Sequence, residues 1–518
     1  MVLSDLTKSI LIAALPVCFT LYSLYSSYLR WLESPTRGLP YPPGPPSVTP
    51  LNASSVLPRS QPWLTYTKWA KKYGDILHLK IYGQHTIILS NYEDVVELFE
   101  QRSRQYSDRV RSTYINLMGW DFHVGLMPYG DKWRSHRKMF QQCFRPKASL
   151  AYRPIQTQKI RDLLNDLLTQ PEDFFSHCRK TSTAIIFSTL YGPDLTAENI
   201  ASFVQIADKA VSALNKSLIP GATVAHHIPF LQHLPSWFPG ANYKRQASEV
   251  KELTEQMQDM PLSFLGKGII GGTSSQSLIS DLLENCYTQK EYDIIKHVAA
   301  TSYAAGADTT ASSMITFFLA MTLYPEAQRR AQQEIDELLG KGPRARLPTF
   351  EDRPHLPFVE AVYREVMRWR PVSPINDAHV TTAIDVYKGF YIPKGASVIV
   401  NNWALTRNPD KYPDPESFKP EHFMDENGNL NDDDAVLSFG YGRRNCPGRH
   451  MASATIWLTI VSVLAAFDIK KKKDETGSEM TVSPAYTDGL ISHPLPFSCT
   501  ITPRNESIKQ LIQQPATS

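Results

Sequence analysis

The chain has 518 residues, 42% of them hydrophobic and 20% charged, with a formal net charge of +3, so it can bury a large core and is not compositionally disordered. Its basic residues are dispersed and no nucleic-acid-binding motif is present, which excludes nucleic acid as a partner. Six cysteines at 18, 143, 178, 286, 446 and 499 form neither a C-x-x-C nor a dense framework, which fits a reducing, cytosol-facing environment and excludes a disulfide scaffold.

Residues 1–9 form a short tail, and residues 10–29, ILIAALPVCFTLYSLYSSYL, carry no charge and match the ~20 residues that a membrane-spanning helix needs. Arg30 and Trp31 follow, as suits an interface, and Arg30 with Arg37 favours a cytosolic side for the rest of the chain. No small-x-small cleavage site follows the apolar run, so an uncleaved single-pass anchor is expected. Within residues 30–50, the prolines of LPYPPGPP fix φ and lack amide donors, which makes a stiff hinge. Sequons at Asn52, Asn215 and Asn505 are read as chance, because a cytosolic body never meets the glycosylation machinery.

Between Trp63 and Pro503 there is no low-complexity linker, internal repeat or sharp change of composition; one catalytic unit over 51–505 is expected, followed by a tail over 506–518. Its periodicity is mainly helical with a smaller β-sheet region. DILHLKIYGQHTIIL (75–89), broken at Tyr82-Gly83, and GFYIPKGASVIVNN (389–402) read as strands. Helices are expected from about 291 to 323, from Pro325 to Leu339, over 358–369 and over 450–467. The last is apolar on nearly every side, as a core helix is.

Several short patterns carry chemistry. In WRSHR, Trp133 and Arg137 share a helix face and both donate hydrogen bonds, which suits a partly buried carboxylate, although amphipathic packing is the plainer reading. AAGADTT (304–310) places an acid, Asp308, beside a hydroxyl, Thr309, after the small Gly306; taken alone it is merely a weak point in a helix. In EVMR, Glu365 and Arg368 are helix neighbours, by default a solvated ion pair. In FGYGRRNCPG (439–448), Gly440, Gly442 and Gly448 free the backbone to turn amides toward Cys446. A following helix end, with Arg443 and Arg444, should lower the thiol pKa. Such a thiolate serves as nucleophile, zinc ligand or iron ligand; beyond His450 no second Cys/His cluster supports zinc.

Phe439, Gly442, Arg444, Cys446 and Gly448 match F-x-x-G-x-R-x-C-x-G at every defined position, and here the chain resembles the cytochrome P-450 family, fungal microsomal members in particular. The resemblance covers nearly the whole chain, from PPGP to GLISHPLPF. It implies the cytochrome P-450 fold, and haem b with Cys446 as the axial ligand of iron, held further by Phe439, Gly442 and Gly306. Arg444, Trp133, Arg137 and His379 would bind its propionates. Thr309 and Asp308 would stabilise dioxygen and relay protons. Glu365 and Arg368 would form a structural element whose usual third member, an arginine, is His422 in PEHF (420–423), giving a weaker, pH-sensitive triad.

The implied function is a haem-thiolate monooxygenase of the endoplasmic reticulum membrane, acting on a hydrophobic small molecule of secondary metabolism or a xenobiotic. Its electrons would come from NADPH through NADPH-cytochrome P-450 reductase, docked on a basic surface that includes Arg443, Arg449, Lys132, Arg134 and Lys138. Substrate contacts are expected from residues 115–122, from Ala305 and from Leu490-Ile491, with 228–240 dipping into membrane lipid. A haem-thiolate isomerase or dehydratase, and a non-catalytic membrane haem carrier or sensor, are the rival readings.

Overall fold

The computed structural model describes residues 20–22, 24–25, 38–48, 56–58, 60–193, 197–218, 242–270, 276–341, 345–434 and 437–514. Most of the expected anchor, most of the hinge before residue 38, Asn52 and the segment 228–240 lie outside the described residues.

Strands β1 (Ile76–Ile81) and β2 (Gln84–Leu89) form a hairpin with Ile81 opposite Gln84. The break expected at Tyr82-Gly83 is its turn: both residues take positive φ, 47° and 87°, the two-residue geometry that matches the twist of paired strands. β3 (Asp108–Arg109) and β4 (His379–Val380) complete one edge of the same sheet. The stretch 389–402 is not one strand. After β5 (Asp385–Tyr387), β6 (Phe390–Ile392) pairs only with β5, and a turn at Pro393 to Gly395 sends β7 (Ser397–Val400) into the larger sheet. That sheet runs β1-β2-β7-β4-β3, with β7 parallel to β2. β8 (Phe467–Lys471) and β9 (Cys499–Pro503) make a further pair.

Helices dominate the rest. Those that position the site are α1 (Asp131–Phe144), α2 (Phe174–Tyr191), α3 (Ala197–Ser217), α4 (Gln289–Leu323), α5 (Pro325–Leu339), α6 (Pro357–Trp369) and α7 (Arg449–Ala466). Thr288 caps α4 through a capping box with Glu291, which satisfies donors that a helix start leaves open. At the other end Pro325, lacking an N–H, starts α5 instead of prolonging α4. From Ile295 onward α4 is buried for most of its length and lies in the large helical core with α2, α6 and α7. α7 is the one described helix long and apolar enough to cross a membrane, and its residues from Thr455 to Ala466 are all buried, which makes it the core helix expected. A second apolar cluster under the sheet, including Phe99, Tyr106 and Val398, reaches the cysteine loop through Leu437 and Tyr441.

The sequon asparagine Asn505 caps the last helix, Glu506–Gln513, by accepting from Ile508 N at 3.0 Å. The five described cysteines are all free thiols.

Candidate active site

The loop ahead of α7 is folded back on itself. Cys446 N donates to Phe439 O at 2.7 Å, and the backbone N–H groups of Gly448 and Arg449, at the start of α7, point at the Cys446 sulfur. Gly440 and Gly442 take left-handed φ of 75° and 57°. A Cβ on Gly442 would lie 2.1 Å from Phe99 O, so this glycine lets a neighbouring helical segment touch the loop. Gly448 has φ −84° and open space around it; the conformational freedom expected to matter there is not used. The expectation of a lowered thiol pKa is corrected too. Burial is the largest influence and raises it, and the N–H of Gly448 and the charges of Arg137 and Arg449 oppose that without overcoming it. A bound cation would supply the missing compensation.

Cys446 opens onto a cavity of ≈ 340 Å³. Three guanidiniums line its rim. Arg444 donates from Nε to Ser107 O at 2.9 Å, and its other two nitrogens reach Val124 O and Met127 O; its plane lies 4.3 Å from the Trp133 ring centroid. Arg137 holds Asn445 by its carbonyl at 2.7 Å and its side-chain oxygen at 2.6 Å, while its buried Nε has no partner. Arg109, absent from the sequence reading, donates to Gly125 O at 2.7 Å and Ala378 O at 3.1 Å. The pairing of β3 with β4 sets Arg109 opposite His379, whose Nδ1–H donates to Tyr106 O at 2.6 Å. His123 completes the rim with a buried, unpaired Nδ1.

This rim holds more cations than anions, with Asp377 the one carboxylate among its lining residues. Asp377 Oδ2 stands 4.0 Å from Arg109, and Asp108 already accepts from the backbone of Arg109 and Tyr129. Burial, with Arg109 and Arg137 nearby, lowers the Arg444 pKa to about 8, and burial beside Arg109 and Arg444 depresses that of His379. A site that desolvates this much positive charge is complementary to a carboxylate-bearing ligand. The propionates of haem b, with a thiol beneath, fit that donor set.

The opposite wall is α4. Thr309 lines the cavity, and its hydroxyl donates to Ala305 O at 2.7 Å. Asp308, one residue earlier, is not among the lining residues: at about 100° per residue the helix turns it away, and its Oδ2 meets His493 Nε2 at 3.2 Å. Gly306 lines the cavity with its backbone, but a Cβ there would meet Ile186 of α2 at 3.3 Å. Its missing side chain therefore also serves helix packing, alongside the Ser182 hydroxyl, which donates to Ala307 O at 2.6 Å. The remaining wall is largely aliphatic, with Ala305, Leu490 and Ile491 as expected. Residues 115–122 do not line it, because Ile115, Met118, Trp120 and Phe122 are spent in the core, and residues 123–126 take that place.

Below the cavity, Glu365 and Arg368 are buried, with side chains 0% and 3% exposed, against the solvated default. Arg368 grips both carboxylate oxygens at 2.6 and 2.7 Å and donates to the carbonyls of Thr406, Pro415 and Ser417. His422 lies with Nδ1 at 3.2 Å from Glu365 Oε1 and Nε2 at 2.7 Å from Pro413 O, so both ring nitrogens face acceptors. Among the described residues no grouping of three or more Cys, His, Asp or Glu could hold a metal ion.

A family model described as cytochrome P-450 matches residues 42–501. A cytochrome P-450 monooxygenase of Ampulloclitocybe clavipes is 36% identical over 475 residues, covering 91% of this chain and 88% of its own length. One of Coprinopsis cinerea is 36% identical over 527 residues, covering 100% and 98%; another, of Armillaria gallica, is 38% identical over 495 residues, covering 94% and 96%. The solved structure of a zebra fish cytochrome P-450 with abiraterone shares the fold, with a TM-score of 0.65 at 23% identity over 86% of this chain and all of that one. With the family model and these relatives extending from the proline-rich segment to β9 around one thiol-floored, cation-rimmed cavity, the chain belongs to the cytochrome P-450 family, as a haem b-binding monooxygenase that uses dioxygen, a hydrophobic substrate and a redox partner.

Proposed function

We propose that this chain hydroxylates, or oxidises in a related way, a neutral and largely aliphatic molecule of secondary metabolism or a xenobiotic, with Cys446 as the axial ligand of haem iron. The observation that carries the reading is one cavity with Cys446 as its floor, three guanidiniums and the unpartnered Arg137 Nε at its rim and Thr309 in an aliphatic wall. Bound haem supplies the oxidising chemistry, in which one atom of dioxygen enters the substrate and the other leaves as water, using two electrons and two protons.

The chain's own groups divide the remaining work. N–H groups of Gly448 and Arg449 stabilise the sulfur as an anion. Arg109, Arg137, Arg444, Trp133, His123 and His379 bind and orient carboxylates at the rim. Aliphatic side chains from α2, α3, α4 and the 490–491 turn exclude water around the substrate. The Thr309 hydroxyl, relaxed from Ala305 O, holds a proton at its Oγ1, and Asp308 resupplies it. The direct test is a mass-spectrometric product screen using membranes that hold this chain with NADPH-cytochrome P-450 reductase, NADPH and dioxygen. Thr309→Ala should divert about ten times more NADPH into peroxide, measured as peroxide released per NADPH oxidised; unchanged coupling would remove Thr309 from the relay.

The electron source in this reading is the NADPH-dependent reductase, with the chain held on the endoplasmic reticulum membrane through residues 10–29. What supports a basic docking face is the exposure of Lys132, Arg134 and Lys138 on α1, near Arg443 and Arg449 beside the cysteine loop. Electron transfer measured by stopped flow should slow about tenfold between low and physiological salt, because screening shortens the reach of those charges. A rate indifferent to salt overturns the electrostatic docking.

A further inference from the structure

The loop that carries Leu490 and Ile491 into the cavity also carries a histidine to the far side of α4. His493 Nε2 stands 3.2 Å from Asp308 Oδ2, and its Nδ1 is buried with no protein partner. The pair is neither sealed nor freely solvated: the two side chains are 16% and 31% exposed. The loop does not depend on this ring for its place. The Ser312 hydroxyl, one turn beyond Asp308 on α4, donates to Ser492 O at 2.7 Å, and the backbone of His493 exchanges hydrogen bonds with Thr487 Oγ1 and Thr487 N at 2.9 and 2.8 Å. An imidazole held against an acid and redundant for the loop is free to act on that acid.

We propose that His493 supplies the protons that Asp308 passes to Thr309, an inference that rests on the reading of those two residues given above. Per transfer, a proton from water, which such a buried orphan atom ordinarily hydrogen-bonds, forms an N–H bond at Nδ1 while the N–H bond at Nε2 breaks and an O–H bond forms at Asp308 Oδ2. Ring rotation restores the starting tautomer. His493 thus acts through Asp308 and touches neither substrate nor haem pocket. Among the described residues, the other titratable groups that reach the pair are Asp208 on α3, which is offset by Arg179 on α2, and the neutral Tyr303 phenol on α4.

The test uses the haem-loaded full chain with reductase and NADPH, and dioxygen alone as probe, and reads peroxide released per NADPH oxidised from about pH 6 to about pH 9. In the native protein the peroxide share should change with pH. His493→Gln keeps an N–H toward Asp308 but does not titrate; it should give a share about threefold higher at the acid end and flat across the range. Adding His493→Gln to Asp308→Asn should change nothing further. A readout independent of turnover is hydrogen exchange at C2 of the His493 ring by mass spectrometry, which should change at least about twofold in Asp308→Asn and not in Thr309→Ala. Native-like pH dependence in His493→Gln, or ring exchange blind to Asp308→Asn, overturns the assignment. If Thr309→Ala shifts the peroxide share and His493→Gln does not, only His493 is wrong; if neither does, the relay itself falls.

Discussion

Cys446→Ser is expected to abolish the thiolate-type spectrum of the reduced carbon-monoxide complex and to cut haem retention on purification at least about tenfold. The physical basis is the acidity of the ligand atom. Burial raises the pKa of the Cys446 thiol, but bonding to iron, as proposed, would exchange that proton for a cation, and the N–H groups of Gly448 and Arg449 would then face an anion they are already aimed at. A serine hydroxyl at the same place is far less acidic, so it stays neutral and leaves those donors facing a poor acceptor. Because loading releases a proton, retention in the native chain should improve as pH rises. The measurement is the reduced carbon-monoxide difference spectrum with haem content per chain. A Cys446→Ser protein with native haem content and native axial coordination would sink the assignment.

Arg368→Ala should leave little folded, haem-loaded protein. Glu365 is fully buried and Arg368 closes a bidentate pair with it. Truncation strands that carboxylate and removes donors from the carbonyls of Thr406, Pro415 and Ser417. Losing one partner of such a buried pair costs about 3–5 kcal/mol, a large part of the ~5–15 kcal/mol that holds a typical domain folded. Neighbours do not rescue it: His422 already directs its second nitrogen at Pro413 O, and Lys419 N is committed to Glu365 Oε1 at 2.7 Å. Arg368→Lys should recover only part of the loss, since an ammonium does not span both oxygens and all three carbonyls. Thermal unfolding and haem-loaded yield check both variants; a midpoint for Arg368→Ala within about 2 °C of the native one contradicts a structural role of this size.

The site was legible wherever its chemistry sits in consecutive residues. The cysteine loop, Thr309 on the long helix and the Glu365–Arg368 pair depend on spacings of a few residues, which helix and turn geometry convert directly into position. The junction of α4 and α5 was legible for the same reason, since Pro325 acts on its own backbone. Other parts were not. Arg109 becomes a rim residue only because β3 pairs with β4 and sets it opposite His379; His123 enters the wall because its neighbours in 115–122 are drawn into the core.

What the amino-acid order determined alone was a mainly helical chain with a cysteine loop ahead of a core helix and a long helix interrupted by small and polar residues, because these follow from local bonds and periodicity; the haem-thiolate reading rested on the family resemblance that those residues carry. What the tertiary structure decided was the surroundings of those groups: three guanidiniums gathered around one lining carboxylate, Asp308 turned from the cavity to His493, and a buried ion pair at 365 and 368. Charge, burial and hydrogen-bond partners at a site come from segments far apart in the chain, and only folding sets how much solvent each group loses.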